Sequence, residues 1–177
     1  MAKKDMFTHS YLFKGSYSIK VDKLCEVIDN ESKCRIFNSA VELFIFASLI
    51  GALNKRKSRL TGENTPTTQI MAEQFINHSD DLKLAFKFVI LTSNTDNVDS
   101  VTRLNKAFRN PETDDNYTLF EQYMLGGIDE LYENLIIDSN NRFEDYFTSV
   151  NELLDKIKKS DSGDEIIDDI STDDFDF

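Results

Sequence analysis

FNSAVELFIFASLIGALNKRKSR, residues 37 to 59, is the stretch from which the rest of the fold can be read outward. Between Ala40 and Leu53 only Glu42, Ser48 and Gly51 interrupt the apolar residues. A helix that is apolar on nearly every side has no face to offer solvent, so the remaining elements are expected to wrap it. The run gives way to a basic cluster after fourteen residues, short of the roughly 20 that a bilayer-spanning helix requires. Its start is encoded locally. Ser39 and Glu42 form an S-x-x-E capping box, in which each side chain satisfies a backbone N–H that the first turn leaves without a helical partner. Glu42 therefore has a structural role, and no titratable residue stands beside it at i+3 or i+4.

Upstream, residues 1 to 18 mix aromatics with Gly15 and several serines and show no helical period, which predicts an irregular arm or a short strand pair. Ile19, Leu24, Val27 and Ile28 then fit one face of a short helix ending near Asn30. Downstream, Thr65 and Pro66 read as the N-cap and first residue of a helix through Met71, Phe75 and Ile76, stopping near His78. Ser79, with Asp80 and Asp81 in its first turn, opens the next segment. There Leu82, Leu84, Phe86, Phe88 and Ile90 alternate as a buried strand would, but the capping residues favour a helix. Val98 to Arg109 reads as a basic amphipathic helix with Val101, Leu104 and Phe108 inward, ended by Asn110-Pro111. Thr118 and Glu121 make a second capping box, and the helix they open carries Gly126-Gly127. Each glycine costs a helix interior about 1 kcal/mol relative to alanine. Either the helix breaks there or a neighbour, most simply the central helix, approaches its backbone closely. Asn141 with Glu144 starts a last helix to Lys159, with Phe143, Phe147, Val150, Leu154 and Ile157 at helical spacing. The expected fold is mainly α: a single-domain helical bundle, residues 1 to 159, around a buried central helix.

The formal charge of −12 is unevenly distributed. Eight of the 32 acids fall between Ser160 and Phe177 with no base, leaving 24 acids against 20 bases in residues 1 to 159. Residues 160 to 177 read as a disordered acidic tail, because such a composition cannot bury enough surface to offset its ordering entropy. With 177 residues, 40% apolar content and fourteen Phe, the body is large enough for a real core, and most aromatic rings are expected inside it. No secretory leader pattern opens the chain and no apolar run reaches membrane length, so a cytoplasmic location without membrane contact is expected. Cys25 and Cys34 have neither a C-x-x-C partner nor a nearby histidine and read as reduced thiols.

Chemistry-bearing motifs are scarce. Phosphate-cradling glycine loops and an H-E-x-x-H helix are absent, and the two histidines, His9 and His78, are far apart, so no catalytic or metal-ligating set and no cofactor is assigned. Asp81-Leu82-Lys83 has the D-x-K form of metal-dependent nucleases and supports the alternative of a small nuclease. Lys55, Arg56, Lys57 and Arg59 admit two readings. They complement the helix dipole, or they form a patch for weak contact with nucleic-acid phosphates. Asp173, Asp174, Phe175, Asp176 and Phe177 place aromatics inside an acidic strip, the form of a peptide that docks on a protein partner.

Two stretches together resemble the small helical accessory proteins encoded beside bacterial DNA phosphorothioation (Dnd-type) modification and restriction genes. One is an apolar run carrying Phe37, Ala40, Phe44, Ala47 and Gly51, followed by bases; the other is an F-E-x-Y-x-x-G-G segment on Phe120, Glu121, Tyr123, Gly126 and Gly127. Gly51 stands one residue later than the family's spacing, and Ser48 replaces a small apolar residue. The resemblance implies a non-catalytic accessory subunit of an anti-phage DNA-modification or restriction complex, with another subunit of that complex as its protein partner. The last residues, IIDDISTDDFDF, resemble the acidic tip of bacterial single-stranded-DNA-binding proteins, which implies recruitment of repair or replication factors as a further alternative.

Overall fold

The computed structural model describes residues 7–29, 33–60, 62, 64–93, 99–109, 113–137, 148–155 and 158. In chain order these form β1 (Tyr11–Lys14), α1 (Ser16–Leu24), β2 (Val27–Asp29), β3 (Cys34–Arg35), α2 (Ala40–Leu53), β4 (Thr67–Ile70), α3 (Ala72–Asn77), α4 (Ser79–Thr92) and α5 (Ser100–Leu104). A π-helical turn, Asn105–Arg109, continues α5; then come α6 (Asp114–Tyr132) and a second π turn, Glu133–Ile137. Residues 148–155 are helical as well. The chain is mainly α, with two small antiparallel strand pairs, β1 with β4 and β2 with β3.

The central helix begins as its sequence predicts. The Ser39 hydroxyl accepts from the Glu42 N–H at 3.3 Å, while the Glu42 carboxylate accepts from the N–H of Asn38, one residue before the cap, at 3.1 Å. Phe44 is the centre of an aromatic cluster. Its ring lies 5.3 Å from Tyr11, 5.2 Å from Phe75 and 5.8 Å from Phe120, all inclined rather than stacked face to face, the geometry that ring quadrupoles favour. Among the described residues, Phe7, Tyr11, Phe13, Tyr17, Phe44, Phe75, Phe86, Phe120 and Tyr123 are buried in the core, while Phe46 and Phe108 are exposed.

α2 and α6 cross in contact of their backbones. A β-carbon added at Gly51 would collide with the Tyr123 carbonyl, and one at Gly127 with the Ala47 carbonyl. Small residues at the crossing let the two chains approach more closely than side chains permit. That approach explains why α6 runs unbroken through two glycines. Around this pair, α4 buries Leu82, Ala85, Phe86, Val89 and Ile90, a helical period that settles the strand-or-helix ambiguity. α1 packs on α6 and also touches α2.

Several expectations are corrected. α1 spans Ser16–Leu24 rather than Ile19 to Asn30, with Tyr17, Ser18, Val21 and Leu24 buried and Ile19 exposed. Val27 and Ile28 are in β2 because β-branched residues suit a strand that finds a partner in β3. Thr67–Ile70 is strand, not helix, since β1 offers it a complete antiparallel register from Tyr11↔Ile70 to Lys14↔Thr67. α6 starts four residues before Thr118, capped by Thr113, which accepts from the Asn116 N–H at 3.2 Å. Thr118 instead donates back to the Asp114 carbonyl, and Glu121 accepts from the Tyr11 hydroxyl at 2.7 Å.

The largest correction concerns α5 and its π turn. Val101, Leu104 and Phe108, expected inward, are 64%, 42% and 57% exposed, and Ala107 is buried instead. In the last helix Leu153 is buried and Leu154 exposed; Phe143, Phe147 and Ile157 lie outside the described residues. α2, finally, is not covered all round: Phe46 and Leu53 are each 37% exposed along an open groove against α4. Cys25 and Cys34 are free, and burial pushes the Cys25 thiol up to about 11, which keeps it protonated near neutrality.

Candidate functional site

The basic cluster begins where α2 ends. After Asn54 closes the helix, Lys55 takes φ 52°, the left-handed conformation that glycine usually supplies at this position. The Lys55 N–H donates to the Ala52 carbonyl at 3.2 Å and the Arg56 N–H to the Gly51 carbonyl at 2.9 Å, the paired bonds of a Schellman motif. A side chain in that conformation costs roughly 1 kcal/mol. The sequence bears this cost at a lysine.

α6 then grips the turn. Ser58 donates its N–H to the Gln122 carbonyl at 2.9 Å, and the backbone of Arg56 and Lys57 lies so close to Gly126 that a β-carbon there would collide with the Arg56 carbonyl. The Arg56 guanidinium meets Glu133 through both terminal nitrogens at 2.6 Å and Glu130 through one at 2.9 Å. These charge-assisted bonds hold the guanidinium above its ordinary pKa, and the bond from Arg56 holds the Glu133 carboxyl below its own.

Behind the turn lies a buried carboxylate, Asp129. One oxygen accepts from the Tyr17 hydroxyl at 2.9 Å and the Ser58 hydroxyl at 2.5 Å; the other accepts from Lys20 Nζ at 2.5 Å. Lys20 also lies 5.0 Å from the Tyr17 ring and 5.8 Å from the Tyr132 ring. Burial pushes the Tyr17 phenol up to about 12, so it stays a donor. Every donor converges on one acceptor, which makes the cluster a clasp joining α1, the basic turn and α6. Sequence reasoning missed it. The available signal was the acidic run Asp129, Glu130 and Glu133 following the glycine pair, a counterpart for a basic cluster elsewhere.

The predicted phosphate patch is thus divided. Lys55, Lys57 and Arg59 are exposed, whereas Arg56 is turned onto α6. Lys57 Nζ sits 4.9 Å over the Tyr123 ring, but that ring is buried and presents no face for a base to stack on. Asp81 and Lys83 lie two apart on α4, where a helix turns them to roughly opposite directions. Asp81 is 3.7 Å from His78 Nδ1 instead. Among the described residues, no three His, Cys, Asp or Glu side chains are grouped to hold a metal ion, and no helix is long and apolar enough to cross a membrane. Asp173 to Phe177 lie outside the described residues.

No curated protein and no solved structure matches the chain. The family described as DNA sulphur modification system-associated protein 4 matches residues 20–170. That span takes in α2, the basic turn, α6 and the residues of the clasp from Lys20 onward. The chain belongs to the DNA sulphur modification system-associated protein 4 family.

Proposed function

We propose that this protein is a non-catalytic interaction subunit of an anti-phage DNA-modification or restriction complex. In this reading the basic turn makes a weak, sequence-independent contact with DNA, while Asp173, Asp174, Phe175, Asp176 and Phe177 dock on a protein subunit of the same system. The observation that carries the reading is the turn: its backbone is fixed by α6 while Lys55, Lys57 and Arg59 stay exposed. A loop that is held in place loses little entropy on meeting a phosphate backbone. A lysine in a conformation suited to glycine is better explained by a use for its charge than by helix capping alone.

Arg56 contributes rigidity rather than contact. Three cations, not four, then meet phosphates, so the affinity for duplex DNA should fall with a log–log salt slope of about −2.7. Fluorescence titration of a labelled duplex across a salt series tests this. Replacing Lys55, Lys57 and Arg59 by glutamine should abolish the slope; an unchanged slope leaves the cluster as a helix terminus and nothing more. Magnesium-dependent cleavage of a plasmid that is lost on Asp81→Ala would sink the non-catalytic reading.

A further inference from the structure

Among the described residues, two apolar faces are exposed, and they are complementary. The first is the groove between α2 and α4, about 780 Å³, where Phe46, Leu49 and Leu53 face Leu84 and Phe88. Its polar lining consists of Glu42, His78 and Asp81, with no lysine or arginine. Leu84 is 69% exposed, a large apolar side chain left in water on the wall of a cleft. The second face is the stripe of Val101, Leu104 and Phe108, three residues at helical spacing on α5 and its π turn. From Ser100 to Arg109 that segment carries Arg103, Lys106 and Arg109 and no acid.

We infer that the groove between α2 and α4 receives the α5 segment of a second copy of the chain. The stripe packs beside its own α4, with Lys87 Nζ 5.1 Å over the Phe108 ring and Arg103 reaching the Leu91 carbonyl, and it does not line its own groove. An amphipathic helix laid into an apolar cleft buries anchors at i, i+3 and i+7. Here the anchors are aliphatic and aromatic, and the flanking charges match by sign: bases on the segment, carboxylates at the cleft. The acidic residues 160–177 of the same chain are a poorer occupant, because Glu42 and Asp81 repel them. When both copies exchange segments the groove-to-stripe contact is made twice about a two-fold axis, an isologous pair; made once, head to tail, it leaves one groove and one stripe open.

Sedimentation equilibrium of the full chain over a concentration series tests the inference. Wild type should show association that weakens as salt rises, because the rim charges are exposed. Leu84→Glu spoils the groove and Phe108→Glu the stripe, both at exposed positions that leave the core intact. Each alone should weaken self-association by about tenfold or more, with unchanged circular dichroism and melting. Mixing the two variants in equal amounts should recover part of the association, since a mixed pair holds one intact groove-to-stripe contact, against none in either variant alone. If Phe108→Glu melts early, Lys106→Glu on the same segment replaces it. A wild-type chain of single-chain mass at every concentration, variants that associate like wild type, or a mixture that restores nothing would each overturn the inference.

Discussion

Lys55 at φ 52° offers a substitution in which stability and charge change in opposite directions. Lys55→Gly relieves the left-handed strain and should stabilise the chain by about 1 kcal/mol, while removing one cation and weakening DNA binding. Urea denaturation with a raised midpoint, together with a shallower salt slope, is the expected pair of results. A destabilised variant would mean that the lysine stem packs against α6 more than its strain costs. Asp129 behaves oppositely, because three donors depend on it. Asp129→Ala should cost about 3 kcal/mol, the lower end for a buried pair that loses one partner, read as a lowered urea midpoint at constant slope. Glu133 gives the pH dependence. Its folded pKa is depressed below the ordinary 4.5 by the bonds from Arg56, so its contribution is complete above pH 4.5 and is lost as pH falls through the folded value. The pair is half exposed, so the effect stays under about 1 kcal/mol. Glu133→Gln should flatten the acid limb of a plot of stability against pH by that amount.

At the scale of elements, the crossing of α2 and α6 decides the sign of a common substitution. Gly→Ala inside a helix ordinarily stabilises by about 1 kcal/mol. At Gly51 or Gly127 the added carbon meets backbone of the facing helix, not a side chain that can swing away. Gly127→Ala should therefore destabilise by about 1–3 kcal/mol or more, and a higher melting temperature would remove the close-approach account. Phe44→Ala, at the middle of the aromatic cluster, should cost about 3–5 kcal/mol. Ile45→Ala should cost less, because Ile45 is half-buried and lines the open groove.

At the scale of the molecule, charge is arranged in regions of opposite sign: a basic turn on α6, a basic α5 segment, an acidic cleft and the acidic residues 160–177. The proposed contacts with DNA, with a protein subunit and with a second copy use different regions, so each can be removed separately. Phe177→Ala should weaken binding of a purified protein subunit of the modification system by about ten- to a hundredfold, the worth of one buried aromatic, without altering the melting of the body. Truncation after Lys159 that changes neither this binding nor DNA affinity at low salt would leave residues 160–177 without a docking role.

Where local rules sufficed, the sequence alone determined the outcome. An apolar run from Ala40 to Leu53 with Ser39 before it forms a helix buried over most of its surface, and Gly126-Gly127 inside a helix calls for either a break or a neighbour's backbone because nothing local offsets two glycines. Over α4 the residues alternate as a strand would, and only Ser79, Asp80 and Asp81 at its start favoured the helix that formed. Tertiary structure decided what local chemistry leaves degenerate. Thr67–Ile70 became strand because Tyr11–Lys14 lies beside it. Val101, Leu104 and Phe108 kept an amphipathic period but stay exposed, since period fixes which residues share a face and not whether that face meets a core. Arg56 could not be told from Lys55, Lys57 or Arg59 until α6 brought Glu130 and Glu133 to it from more than seventy residues away. An ion pair is set by distance in space, and the chain order of a basic cluster carries no record of it.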